Sequence, residues 1–281
     1  MIASINRTKE ILNKYDLQAK KRFGQNFLID SNIVSKIVNT ANIDENTIVI
    51  EIGPGIGAMT ELLAKAAKRV ICFEIDSDMV NIINNEIINE GARNVEIKEI
   101  DFLKVNLKDY NLDGEKVIVV SNLPYYITTP IIFKLLNEEV IKEIYVMVQD
   151  EVARRLVGLP KTKDYGSLSV MIKYLATAKF EFKVGRNCFF PAPNVDSGIV
   201  SIKRTKNDYN LKNEPKFLKF VQSIFEMRRK TLINNLLKDY DYKRNELEEK
   251  IASITGDINC RAESLSLDEI IKIYQILGLD K

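Results

Sequence analysis

The stretch Thr47-Ile48-Val49-Ile50-Glu51-Ile52-Gly53-Pro54-Gly55-Ile56-Gly57 decides how the chain is read. A β-branched apolar run of this length reads as a buried strand. Alternate glycines follow it, and Met59-Thr60-Glu61-Leu62-Leu63 then reads as a helix, so the unit is strand, glycine turn, helix. The glycines let a ligand approach the backbone closely, with a helix N-terminus behind. The spacing is Gly-x-Gly-x-Gly with Ala58 next, rather than the Gly-x-Gly-x-x-Gly of dinucleotide enzymes, and Glu51 precedes it. A glycine loop alone says little, but this one fits an S-adenosylmethionine loop better than a nicotinamide one.

Working outward, the next strands each end in a polar group. Arg69-Val70-Ile71-Cys72-Phe73 runs into Glu74, which stands 21 residues after Gly53. At that offset an acid meets a ribose diol, a contact common to both cofactors. Asn94–Phe102 alternates as a strand and closes with Asp101, placed to accept from a cofactor adenine with Phe102 beside the ring. Val117-Ile118-Val119-Val120 leads into Ser121-Asn122-Leu123-Pro124-Tyr125-Tyr126. Asn122 offers an acceptor and donors, Pro124 stiffens the turn and Tyr125 supplies a flat face. That set suits a planar base with an exocyclic amine, held at the sheet edge where open α/β folds bind ligands.

The chain has 281 residues, 46% hydrophobic and 28% charged, with a net charge of +2. No apolar run approaches the ~20 residues of a membrane span, and residues 1–24 lack the apolar core of a signal peptide. The three cysteines, Cys72, Cys188 and Cys260, form no Cys-x-x-Cys pair, which points to a reduced cytoplasmic compartment. With no histidine and no clustered cysteines, neither a zinc site nor a His-based triad is expected. Charge is unevenly distributed: residues 1–24 carry +4, 25–150 carry −9, 151–250 carry +9 and the last 31 carry −2. Basic flanks around an acidic middle suit a polyanion partner, although a merely solvated basic surface has the same composition.

The remaining segments fill in the organisation. Residues 1–24 end in Lys20-Lys21-Arg22, and Gln25-Asn26-Phe27-Leu28 would by itself be read as a packed loop. Asp30-Ser31-Asn32 are N-cap candidates for a helix through Val38. Residues 78–90 read as another helix, and Thr128-Thr129-Pro130 cap one through Leu136. Cys188-Phe189-Phe190-Pro191-Ala192-Pro193 is a fixed turn in which Phe189 or Phe190 is either a core aromatic or a second stacking face for a base. The strand Ile199–Arg204 closes a first domain, 1–205. The helical spacing of Phe217, Phe220, Val221, Ile224 and Phe225, and of Leu267–Leu277, predicts an α-helical second domain, 206–281. Arg228-Arg229-Lys230 in it reads as a phosphate contact rather than a solvated face.

Gln25-Asn26-Phe27-Leu28, Glu51-Ile52-Gly53-Pro54-Gly55, Asn122-Leu123-Pro124-Tyr125, Gln149-Asp150-Glu151-Val152-Ala153, Tyr165-Gly166-Ser167-Leu168, Phe189 with Pro191–Ser197, and Arg228-Arg229-Lys230-Thr231-Leu232 occur in order from residue 21 to about 267. In these blocks the sequence resembles the small-subunit rRNA adenine N6,N6-dimethyltransferases of the KsgA type. Two departures, Ala58-Met59 where Gly-Leu-like pairs are commoner and Asn194 for a frequent Lys, touch no proposed catalytic group. The resemblance implies a Rossmann-like class I S-adenosylmethionine methyltransferase domain with a small α-helical C-terminal domain. It implies cofactor contacts from Asn26, Leu28, Gly53, Glu74, Asp101 and Asn122, and no metal. It implies dimethylation of two adjacent adenosines near the 3′ end of 16S rRNA on an assembling small subunit.

On that reading Asn122, Leu123, Pro124, Tyr125 and Phe189 carry the chemistry. Asn122 Oδ1 and the Leu123 carbonyl accept the two N6–H bonds and aim the lone pair, while Tyr125 and Phe189 stack on the base. Lys20, Lys21, Arg22, Arg154, Arg155, Arg228, Arg229 and Lys230 meet the RNA, and the enzyme is a monomer. The competing readings are a large-subunit rRNA adenine methyltransferase, an assembly factor whose binding outweighs its catalysis, and a nicotinamide dehydrogenase. The last leaves Asn122–Tyr125 unexplained.

Overall fold

The structure is a computed structural model that describes residues 1–18, 25–205 and 209–281. The elements in chain order begin with α1 (Ile5–Lys14), β1 (Phe27–Leu28), α2 (Ser31–Thr40), β2 (Thr47–Ile52), α3 (Thr60–Ala66), β3 (Arg69–Glu74), α4 (Ser77–Ile83), β4 (Val95–Glu99), β5 (Lys116–Asn122) and α5 (Thr128–Asn137). They continue with β6 (Ile141–Gln149), α6 (Asp150–Leu156), α7 (Ser167–Leu175), β7 (Ala176–Val184), β8 (Phe189–Phe190), β9 (Ser197–Arg204), α8 (Glu214–Ile224), α9 (Leu232–Asp239), α10 (Arg244–Thr255) and α11 (Leu267–Ile276).

Seven strands form one sheet in the order β4-β3-β2-β5-β6-β9-β7. The pairings from β4 through β6 are parallel, and β9 joins β6 antiparallel. Parallel strands are buried on both faces and so read as continuous apolar runs. β2 follows this rule, with every residue buried, and so do Val117–Val120 of β5. The chain winds outward from β2 to β3 and β4, then returns to place β5 on the other side of β2. The crevice at the carboxyl ends of β2 and β5 is therefore the topological switch point, the place where such sheets bind ligands. This is the Rossmann-like arrangement expected from the strand, glycine turn and helix.

Of the helix starts expected from sequence, the one at Asp30 forms as a side-chain cap, whereas α5 starts after Ile127 with no side-chain cap because the Thr128 hydroxyl donates back to the Pro124 carbonyl. Asp30 accepts from the N–H groups of Asn32 (2.9 Å) and Ile33 (3.2 Å) and so caps α2. The helix expected over 78–90 is regular only to Ile83 and continues as a π-helical turn, Asn84–Ile88, closed by Asn89 N–H to the Asn84 carbonyl at 2.8 Å. The strand expected over 94–102 ends at Glu99, because the Asp101 side chain caps a 3-10 turn through the Leu103 N–H at 3.0 Å. A two-stranded ladder that local pattern did not disclose pairs Phe27 with Phe190 and Leu28 with Phe189.

The chain packs as two compact units. The first comprises Met1–Ala153 and Lys179–Arg204, and the second Arg154–Ala178 and Thr205–Lys281. The second therefore takes in α7, which the sequence reading left in the first domain. Its helices surround a run of aromatic rings: Tyr174 to Phe217 at 4.8 Å between centroids, Phe217 to Tyr274 at 5.3 Å, and Tyr274 to Phe220 at 5.2 Å. Buried Tyr165 is fastened there by donating to the Leu265 carbonyl at 2.7 Å. Among the described residues, no helix is long and apolar enough to cross a membrane.

Candidate active site

An open cleft lies at the switch point. Its walls come from three segments remote in sequence: Gln25–Leu28, the turn after β2, and Asn122–Tyr126, with Glu74 and Ile75 at its side. Asn26, Leu28, Gly53, Glu74, Asn122, Leu123, Pro124 and Tyr125 are thus brought together.

Each wall is held by specific contacts. Gly57 holds φ +89°, a conformation other residues rarely adopt, and lies close under the side-chain tip of Ile87, whose Cδ1 is 2.3 Å from where a Cβ would be. A Cβ on Gly53, at φ +67°, would lie 3.6 Å from the Pro124 ring, which measures how closely the glycine turn and the Asn122 turn approach. The Ser121 hydroxyl donates to the Ile52 carbonyl, tying β5 to β2 at the cleft floor. Leu123 N–H donates to the Met147 carbonyl at 3.1 Å, and Pro124 accepts from Ile127 N–H (3.2 Å) and Thr128 Oγ1 (3.1 Å). The resulting tight turn fixes the peptide on either side of Pro124. Asn122 is half-buried, and among the described residues no hydrogen bond engages its carboxamide. Tyr125 is oriented by the bond between its hydroxyl and buried Ser197 at 2.7 Å.

The acids differ in surroundings. Glu74 is buried, with Oε1 accepting from Ile75 N–H (2.8 Å) and Asp76 N–H (3.0 Å) and Oε2 from Gly55 N–H (3.3 Å). It therefore braces the glycine turn from β3, and burial raises its pKa against the pull of those three donors. Glu51 is also buried and lines the cleft. Burial pushes it up to about 7, although Thr60 Oγ1 donates to Oε2 at 2.7 Å and the Cys72 thiol at 3.7 Å. A cation entering the cleft would favour the ionised form of either group.

Two expected site residues lie apart from the cleft lining. Asp101 stands at the end of β4 and spends one carboxylate oxygen on the Leu103 N–H. Its charge, with that of Glu74, still reaches the Tyr126 phenol, whose pKa is raised first by burial and then by these two acids. Phe189 is 3% exposed, paired in the ladder with Leu28 and packed in the apolar core. Of the two roles that sequence left open for it, this structure places it in the core. Tyr126, by contrast, lines the cleft and is 56% exposed. Its position next to Tyr125 in a strand-end turn could have marked it.

The basic residues are distributed. Lys20, Lys21 and Arg22 lie outside the described residues. Arg154 and Arg155 are exposed on α6, and Arg229 and Lys230 are exposed before α9. Arg228 is engaged within its own unit, with Nε on Glu263 at 2.9 Å and Nη2 on the Lys163 carbonyl at 2.6 Å. Lys161, Lys163, Arg228, Arg229 and Arg261 line a shallow basin there, with Glu263 and Ser264. No group of His, Cys, Asp or Glu suited to a metal ion occurs among the described residues.

Comparison with known proteins adds to this geometry. The family model described as Ribosomal RNA adenine dimethylase matches residues 16–278. A protein of Bacillus pumilus (strain SAFR-032) named Ribosomal RNA small subunit methyltransferase A is 43% identical over 285 residues, covering 98% of this chain and 97% of its own length. Its namesake in Bacillus cereus (strain B4264) is 44% identical over 289 residues, covering 100% and 98%. Among solved structures, a dimethyladenosine transferase from Plasmodium falciparum superposes with a TM-score of 0.75 at 25% identity, over 90% of this chain and 98% of that one. The 23S rRNA methyltransferase ErmE does so with a TM-score of 0.66 at 26% identity, over 90% and 100%.

Proposed function

The chain belongs to the ribosomal RNA adenine dimethylases, and on that premise we propose that it dimethylates N6 of two adjacent adenosines in the 3′-terminal hairpin of 16S rRNA, using S-adenosylmethionine, during assembly of the small subunit. The observation that carries this reading is the meeting of the Asn122–Tyr126 turn with the glycine turn across one cleft, 3.6 Å apart at Pro124 and the Cβ position of Gly53. Full-length relatives named for the small subunit favour 16S rRNA over the large-subunit alternative.

The donor set fits the cofactor. The cleft presents two buried carboxyls raised by burial, Glu51 and Glu74, and S-adenosylmethionine is cationic at its ammonium and sulfonium. Asn26 and Leu28 would hold its amino-acid end, Gly53 the turn, Glu74 the ribose, Asp101 the adenine, and Asn122 would touch both cofactor and target. Bound there, the cofactor supplies a methyl group on a positively charged sulfur, whose departure needs no acid.

The protein's task is therefore to prepare the nucleophile. The N6 lone pair of adenine is delocalised into the ring. Asn122 Oδ1 and the Leu123 carbonyl accept the two N6–H bonds, pull the nitrogen toward tetrahedral geometry and aim the lone pair, an orientation effect. The Pro124 turn keeps those two acceptors in register. Tyr125, anchored on Ser197, offers one stacking face and Tyr126 another at the cleft edge, each contributing about 1–3 kcal/mol per base removed from its stack. The proton passes to water, consistent with a chain that contains no histidine. Lys20, Lys21, Arg22, Arg154, Arg155, Arg229 and Lys230 contact phosphates, and Arg228 supports the basin beside them. The enzyme acts as a monomer in the cytoplasm.

The test is to map methylated positions on small subunits from cells lacking the protein and then add it back. Methyl groups on two adjacent adenosines near the 3′ end of 16S rRNA support the reading, and transfer to 23S rRNA alone overturns it. Asn122→Ala should abolish transfer while cofactor binding weakens far less.

A further inference from the structure

Glu86 is a charged side chain on an apolar helix face outside the cleft. Helical spacing from Met79, Ile82 and Ile83 brings positions 86 and 87 to the inner side, and the Glu86 side chain is 3% exposed. A carboxylate buried there needs partners, and three donors close on it. Arg7 Nη2 lies at 2.6 Å, Lys14 Nζ at 2.7 Å and the Tyr15 hydroxyl at 2.8 Å, all from α1 and the residue after it. The start of the chain is fastened nearby, with Ile2 N–H donating to Glu61 Oε2 on α3 at 2.7 Å.

Glu86 is also the middle residue of the π-helical turn Asn84–Ile88. Such turns are uncommon and recur at functional positions. Ile87, in that turn, and Ile83, the last residue of α4 before it, stand directly against Gly57, at 2.3 and 2.7 Å from where a Cβ would be. One continuous set of contacts thus runs from α1 through Glu86 and Ile87 to the glycine turn.

We propose that Glu86 is a positioning residue for cofactor binding: by clamping α1 onto the π-helical turn it sets where Ile87 stands, and so holds the Gly53–Gly57 turn in its binding shape. This rests on reading that turn as the S-adenosylmethionine site. Losing the carboxylate frees Lys14 and the Tyr15 hydroxyl, leaves Arg7 held only by Glu10 on its own helix at 2.6 Å, and lets the turn relax toward regular helix, which rotates Ile87 off Gly57. The nucleophile-preparing turn at Asn122 lies on another strand and keeps its own supports.

The experiment measures S-adenosylmethionine affinity by calorimetry, together with the KM for cofactor, the KM for small subunits and kcat, in wild type, Glu86→Ala and Glu86→Gln. Glu86→Ala should weaken cofactor binding about tenfold, in the range that coupling through packed side chains reaches, with kcat at saturation within about twofold. The KM for subunits should not move, and Glu86→Gln should recover part of the loss. A triple variant, Arg7→Gln with Lys14→Gln and Tyr15→Phe, should weaken cofactor binding in the same way from the other side, and it decides the matter if Glu86→Ala does not fold. Unchanged cofactor affinity in the folded variants, or a fall in kcat with cofactor KM unchanged, overturns the proposal. Wild-type protein that fails to bind S-adenosylmethionine overturns the cofactor reading itself and this inference with it.

Discussion

Replacing Glu51 by Gln should make the protein more stable at alkaline pH and leave it nearly unchanged at pH 5. The Glu51 carboxyl has its pKa raised on folding from the ordinary 4.5 to about 7, chiefly by burial. Between those values the native state holds a proton that the unfolded chain has lost, so stability falls as pH rises through the window. The contribution is present in full below about 4.5 and gone above about 7. At about 1.4 kcal/mol for each tenfold change in proton affinity, the wild type loses about 3 kcal/mol across that span. The carboxamide introduced by Glu51→Gln keeps an acceptor for Thr60 and never ionises, so the variant escapes this loss. Burial raises Glu74 as well, and its charge adds a small upward push on Glu51. The assay is urea denaturation of both proteins from pH 5 to 9, plotting the difference in unfolding free energy against pH. A difference that grows by about 2–4 kcal/mol toward pH 9 is expected. Parallel curves would refute the argument, since a carboxyl that ionises freely inside the cleft wall cannot be as desolvated as the structure has it.

Other changes probe the remaining parts. The same Glu51→Gln variant should bind S-adenosylmethionine more weakly at pH 8, because the cation loses its buried counter-charge; isothermal calorimetry reads this, and equal affinity would remove Glu51 from the site. Gly57→Ala puts a side chain at φ +89° and pushes the Ile87 Cδ1 tip aside; the left-handed strain should destabilise by about 1–2 kcal/mol and reduce cofactor affinity, and a variant with wild-type melting temperature would show that the turn yields. Tyr125→Phe keeps the ring but drops the Ser197 bond, at about 1 kcal/mol, and should raise the KM for subunits less than Tyr125→Ala does. Changing Arg229 and Lys230 to Gln should weaken subunit binding and reduce its salt slope by about 2, whereas Arg228→Gln should also loosen the Lys161–Lys163 loop, read out as faster proteolysis there.

The strand, glycine turn and helix at 47–63, the polar residues closing β3 and β5, and the Asn122–Tyr125 turn were all legible in sequence, because each is set by local spacing and residue chemistry. The same is true of the helical character of the C-terminal part. What local pattern could not supply were relations between distant residues. Gln25–Leu28 becomes a cleft wall only through the ladder that pairs Phe27 with Phe190 and Leu28 with Phe189. That ladder also draws Phe189 into the core, a choice invisible in a run of two phenylalanines. Arg154–Ala178 joins the second unit through contacts made a hundred residues away, such as Tyr165 with Leu265. Glu51 and Glu86 look alike in sequence, each an acid next to an isoleucine. Tertiary packing leaves Glu51 desolvated beside two weak donors, and so raised toward 7, and surrounds Glu86 with two cations and a phenol that keep its carboxyl below the ordinary range. Residue type sets which groups can ionise; the company that folding brings decides which of them do.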